Sequence, residues 1–260
     1  MIGFFIKKAF FDGWDNLIGL VVHNLVYLLM LFGLYGAFTV FASEGGLLLG
    51  LGAMILLSAA YSLYSSAVAW QTYLYSDYKR EGFKGLKEGF ARLWRHGVFH
   101  FVVNTLLCMI LFFTMPMYLQ QNSAVGFFLG LILFWTYVIV SLALQYFFPL
   151  ACRMPGDRPL KTFRKCFIIL VDNLGTSLFL ALFSAVSFVF TVVLVGLVPS
   201  ISGILLNRQV ALKLLLLKYD YLEENPDADR KKIPWEELLF DEREKVGHRS
   251  LKNMIFPWKD

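Results

Sequence analysis

Five stretches of this chain run the thickness of a bilayer without one Asp, Glu, Lys or Arg: residues 17–42, 47–76, 97–119, 125–150 and 174–198. A helix needs about 20 apolar residues to cross a hydrocarbon core of about 30 Å, so each run predicts one membrane span. No water-facing shell could hide them. Of the 260 residues 58% are hydrophobic and only 17% are charged, against about 45–50% and about 25% in soluble domains. A soluble enzyme of this length is thereby excluded. The 26 Phe, 12 Tyr and 6 Trp exclude a disordered chain, and Cys108, Cys152 and Cys166, with no CxxC pair, exclude a disulfide framework.

A sixth candidate, 201–217, is shorter and carries Asn207, Arg208, Gln209 and Lys213. Hydropathy alone leaves it open between a span and an interfacial helix. Loop charge favours the span. The segments before span one, between spans two and three, and between spans four and five hold Lys7 and Lys8; Lys79, Arg80, Lys84, Lys87, Arg92 and Arg95; and Arg153, Arg158, Lys161, Arg164 and Lys165. The turns near Glu44, Asn122 and Ser200 hold no basic residue, so the positive-inside rule places the N-terminus in the cytoplasm. Residues 219–260 hold 8 of the 24 basic and 11 of the 19 acidic residues, leaving 16 basic and 8 acidic for 1–218. The polar tail with its basic residues also prefers the cytoplasm, which requires an even number of spans.

An internal repeat points the same way. The turns SEGG, QQNSA and PSISG fall near residues 44, 122 and 200, and a similar entry segment precedes each hairpin. Lys8, Phe10, Trp14, Asp15, Asn16 and Leu17 align with Glu88, Phe90, Trp94, Arg95, His96 and Gly97, and with Lys165, Phe167, Val171, Asp172, Asn173 and Leu174. Three copies of one unit are expected, each a basic amphipathic interfacial helix followed by a two-span hairpin, and the third copy needs 201–217 as its return span. In the entry segments the aromatics can enter the acyl boundary while Lys7 and Lys8 meet anionic headgroups. Asp15-Asn16 and Asp172-Asn173 stand where the following helices need acceptors for free amide groups. The apolar segment at the amino terminus is too long for a signal core, and no lipidation box is present.

Catalytic chemistry finds no residues to stand on. The spans contain no GxSxG, no HExxH and no paired Asp, and no Gly-rich phosphate loop occurs. His96, His100 and Asn104 recur at i, i+4, i+8 and predict a polar interhelical stripe; two His without further ligands make no metal site, so no metal and no cofactor is expected. The small residues from Gly45 to Ala69 read as close helix packing, and the basic loops read as inside charges rather than a nucleic-acid surface. Arg208 resists a bland reading. It falls near the middle of the sixth span, where a charge costs about 2.5–3.5 kcal/mol on insertion scales, and no membrane-embedded acid is available to it. Either it binds an anion or substrate, with Gln209 and Lys213 continuing its polar face, or it snorkels or faces a cavity. In the tail, Trp235, Leu238, Leu239 and Trp258 are expected to dock on the interfacial helices around Phe90, Trp94 and Phe163, or on a soluble partner.

The run from Asn24 through Tyr27, Phe32 and Gly33 to Gly36 resembles the N-L-x-W-L…G signature in the first span of the YesL-like bacterial membrane proteins, and residues 83–90 resemble their F-x-x-x-[FL]-[KR] loop. The likeness covers roughly residues 10–217. It implies a bacterial cytoplasmic-membrane accessory protein of a family with no assigned function, often met beside carbohydrate-uptake genes, and it carries over no catalytic residue. The expectation is therefore an all-α polytopic membrane protein: a transmembrane domain, 1–218, of six helices in three repeated units, and a cytoplasmic tail, 219–260. Non-catalytic accessory or scaffold work leads, with membrane lipids and other subunits as partners. The alternative is a permease component for carbohydrate or an anionic solute.

Overall fold

The structure is a computed structural model that describes residues 1–121, 123–230, 232–247 and 249. Trp258 and the aromatic turn at 254–258 lie outside the described residues. Those described form helices and no strand. They are α1 (Ile2–Asp15), α2 (Leu17–Phe41), α3 (Leu47–Ser76), α4 (Gly82–Met109), a π-helical segment (Ile110–Thr114), α5 (Met115–Leu119), α6 (Ala124–Leu144), α7 (Phe147–Arg153), α8 (Pro159–Asp172), α9 (Leu174–Val193), α10 (Ser200–Glu224), α11 (Trp235–Leu238) and α12 (Phe240–Val246). Six helical stretches are long and apolar enough to cross a membrane.

Helix α3 is the centre of the bundle, packed on α2, α4, α7 and α10. Small residues let it sit close to its neighbours. A Cβ added to Gly89 of α4 would lie 2.5 Å from Trp70 Cβ and 2.8 Å from the Ala67 carbonyl oxygen; one added to Gly50 would lie 2.3 Å from the backbone nitrogen of Phe41 in α2.

The sixth helix, the least apolar of the set, is the most enclosed. In α10 67% of the apolar window is buried, against 6–28% in the other five. Leu206, Val210, Leu212, Leu214 and Leu215 are all within 1% of full burial. A helix surrounded by protein need not dissolve in lipid, which is why Asn207, Arg208, Gln209 and Lys213 are tolerated in it. The helix also runs unbroken past the boundary expected at 218/219 and ends at Glu224.

Two of the three entry segments are separate helices and one is not. Asn16 and Asn173 leave the helical conformation, with φ of −117° and −131°, and divide α1 from α2 and α8 from α9. At the aligned position the second copy has His96, and α4 continues through it into the third span. The two Asn were expected to cap the following helix; instead each amide closes the preceding one. Asn16 Nδ2 donates to the Asp12 carbonyl at 2.8 Å and Asn173 Nδ2 to that of Ile169 at 3.2 Å, and neither side chain accepts from the first turn that follows. An Asn amide that reaches back four residues competes with the helix ladder and ends it.

The PSISG turn does not stand beside the SEGG turn. Ser202 donates through its backbone nitrogen to Asn24 Oδ1 at 3.1 Å and through its hydroxyl to the Leu20 carbonyl at 3.1 Å. Leu20 and Asn24 lie three and seven residues into α2, about 5 and 10 Å along a helix rising 1.5 Å per residue. Gly196 approaches Leu28, about 16 Å along the same helix. The first turn of α10 therefore meets the lower part of α2, far from its Phe41 end.

Candidate functional site

Two polar groupings are built on this frame. The first is a cluster of charges at the end of the bundle where α1, the α3–α4 turn, α10 and α12 meet. Lys8 Nζ lies 3.0 Å from Asp12 Oδ2 and 3.2 Å from Glu242 Oε2. It also donates to the Tyr78 hydroxyl at 2.7 Å and the Ser76 carbonyl at 3.2 Å. Lys213 Nζ lies 2.9 Å from Asp77 Oδ1, 3.0 Å from Glu242 Oε1 and 3.0 Å from the Ser76 carbonyl, and Arg153 reaches Asp77 at 3.7 Å. Three cations thus face three carboxylates. The cluster floors an open depression lined by Asp77, Tyr78, Lys213, Glu242 and Lys245.

Burial sets the electrostatics here. It pushes the Asp12 carboxyl up to about 6, against the pull of Lys8. Burial also works to raise Glu242, but Lys8 and Lys213 outweigh it and hold that carboxyl down to about 2. Burial beside Asp12 and Glu242 moves the Tyr78 hydroxyl up. Two carboxylates on one ammonium are thereby driven apart. Sequence reasoning gave Lys8 to the lipid headgroups; the structure buries it completely, because Asp12 follows at i+4 on the same helix face and Glu242 arrives from the far end of the chain.

The second grouping lies deeper, on α2, α3, α4 and α10. Asn24 Nδ2 donates to the carbonyls of Leu197 at 2.7 Å and Pro199 at 3.1 Å, while Thr191 Oγ1 accepts from the Ser200 nitrogen at 2.9 Å. These bonds satisfy an irregular turn that packs against the apolar α2, where backbone groups need protein partners. The Tyr27 hydroxyl meets Ser65 Oγ at 3.1 Å, His23 Nδ1 meets the Tyr64 hydroxyl at 2.9 Å, and His100 Nδ1 meets Ser62 Oγ at 3.2 Å. The Tyr27 ring lies 5.6 Å from Tyr61 and 5.2 Å from Tyr64. Arg208 is within electrostatic reach of Tyr61 and His100.

The residues singled out in the sequence are dispersed. Gln209 is buried and donates to the Ala69 carbonyl at 3.0 Å and to Cys152 Sγ at 3.3 Å. Lys213 belongs to the charge cluster. Of the three only Arg208 lacks a partner: its Nε is buried without a hydrogen bond, and no ion pair reaches it among the described residues. His96 and His100 take different hydrogen-bond partners, Thr162 of α8 at 3.3 Å and Ser62 of α3, while both rings lie against Phe147 and Asn104 is half-buried. In the tail Leu239 is fully buried and Trp235 packs on the core, but α11 and α12 rest on α10 and α1. Phe90 and Trp94 stay 49% and 45% exposed, and Phe163 packs on Phe99 and Phe167. The tail takes the other side because its charged partners, Lys8 and Lys213, are there. Missed in the sequence were Glu242 as the buried acid and Asn24 as the clasp of the α9–α10 turn; the i, i+4 pair Lys8–Asp12 was the one legible hint of the cluster.

No protein-family model, curated protein or solved structure matches the chain.

Proposed function

We propose that this chain is a non-catalytic accessory or scaffold subunit of a bacterial cytoplasmic membrane, with both termini in the cytoplasm. Its six long apolar helices anchor it, and its charged end is the docking platform. The observation that carries this reading is the buried cluster of Lys8, Asp12, Asp77, Glu242, Lys213 and Arg153, which ties five segments distant in sequence into one body. Such a clamp holds a surface in shape, as a platform requires. On α4 Phe83, Phe90 and Trp94 are exposed among Lys84, Lys87 and Arg95, a face suited to anionic headgroups and to a further subunit. The YesL-like resemblance supports the same class. The permease reading keeps one specific observation in its favour, the unpaired Arg208.

Photo-crosslinking from positions 83, 90 and 94 in native membranes tests the proposal. A single partner chain captured in fixed ratio to this one is the expected result; capture of lipid alone at all three positions would refute a subunit role. Alkaline phosphatase fused after Asp260 should be inactive. Activity there would place the tail outside and remove the cytoplasmic platform.

A further inference from the structure

Among the described residues every other cation drawn into the body of this protein has a partner, a backbone carbonyl for Lys7 and a carboxylate for the rest. Lys8 has Asp12 and Glu242, Lys213 has Asp77 and Glu242, Arg153 has Asp77, and Lys218 has Asp172 at 3.3 Å. Arg208 has none. It lies on the most enclosed of the six apolar helices, flanked along the chain by the buried Leu206, Asn207, Gln209 and Val210, and its Nε is shut away from solvent without an acceptor. A guanidinium stays charged at any physiological pH and presents five N–H donors. A buried charge left with neither partner nor water is strongly unfavourable. A chain that supplies acids so consistently elsewhere leaves this position to be completed from outside.

We infer that Arg208 is the anchor of a binding site for one oxyanion, a carboxylate or a phosphate. The planar guanidinium fork matches the two oxygens of such a group, which bind it in bidentate fashion more strongly than a neutral acceptor would. The residue is only partly buried, so the edge of the fork remains reachable. Tyr61 and His100 lie within its electrostatic reach, and His100 engages Ser62 through Nδ1. A phenol and an imidazole within electrostatic reach of a guanidinium that no carboxylate pairs among the described residues give surroundings suited to an anion. Gln209 and Lys213 take no part, being committed to Ala69, Cys152, Asp77 and Glu242. The oxyanion can come from the headgroup of a membrane lipid or from a free solute. The site stands independently of the accessory reading, since a partner subunit is neither required nor excluded by it.

Thermal unfolding of the full chain in a neutral detergent separates the two sources. Inorganic phosphate should raise Tm relative to chloride at matched ionic strength if the ligand is a free anion. If it is a lipid, native mass spectrometry from nanodiscs should retain one phosphatidylglycerol in preference to phosphatidylcholine. Either effect is lost in Arg208→Gln and weakened in Arg208→Lys, which keeps the charge but not the fork. Should Arg208→Gln fail to fold, phenylglyoxal labelling of Arg208 in the unaltered protein decides instead: phosphate or phosphatidylglycerol should block it. Wild-type protein that responds to neither probe, a response that persists in Arg208→Gln, or labelling at the same rate with and without both probes would each overturn the site.

Discussion

Lys8 carries the largest single-residue consequence. It is fully enclosed, and its ammonium is shared by Asp12, Glu242, Tyr78 and the Ser76 carbonyl. Removing one partner of a buried ionic network strands the others, at about 3–5 kcal/mol. Lys8→Met should therefore lower stability by that order in a denaturant titration, whereas Lys161→Met, whose side chain is 64% exposed beside Asp157, should change it little. The same cluster fixes a pH dependence. Glu242, held down to about 2, contributes stability that is complete above the unfolded carboxyl value of about 4.3 and is lost as pH falls toward 2. Asp12, held up to about 6, acts in the opposite sense: its contribution is complete below about 3.9 and is lost as pH rises through 6. Resistance of the tail to proteolysis should thus increase from pH 7 to pH 5 and collapse below pH 4. Asp12→Asn should abolish the first limb and leave the second.

At the scale of the element, hydrophobic runs located most helices well. The expected 17–42 and 47–76 became Leu17–Phe41 and Leu47–Ser76, because a charge-free run must be helical where water cannot satisfy its backbone. Periodicity could not say where such a helix breaks. The fourth run divides at Gln145 and Tyr146, which turn aside to bond Ser177, and the third extends back to Gly82 because no Asn interrupts it at His96. Nor could it show that the polar residues of α10 face protein. The α9–α10 turn is the element most exposed to a single change. Asn24 holds the Leu197 and Pro199 carbonyls and the Ser202 amide, and each buried group left unpaired costs about 1–3 kcal/mol. Asn24→Leu should accordingly destabilise the protein by several kcal/mol despite being more apolar, as read by thermal unfolding in detergent. A neutral or stabilised variant would mean that water or lipid serves that turn.

For the molecule as a whole, the all-helical class and five of the six long apolar helices were written in the hydrophobic runs, while the way its ends close was not. Lys8 and Glu242 are joined across nearly the entire chain, and no local pattern records a contact of that separation. Arg208 was conspicuous as a charge in an apolar run, but only the fold revealed that Gln209 and Lys213 are spoken for and that Arg208, unlike Lys213, lacks a counter-charge. The expected face for the tail, near Phe90 and Trp94, followed from aromatic likeness; the observed one follows from charge pairing with α1 and α10. Hydrogen exchange at the amides of α12, Phe240–Val246, tests this closure most directly. In the full chain these amides should exchange much more slowly than in the free peptide, and Lys8→Met should remove the protection. Exchange in the unaltered protein at the rate of the free peptide would contradict the clamp and, with it, the platform built on it.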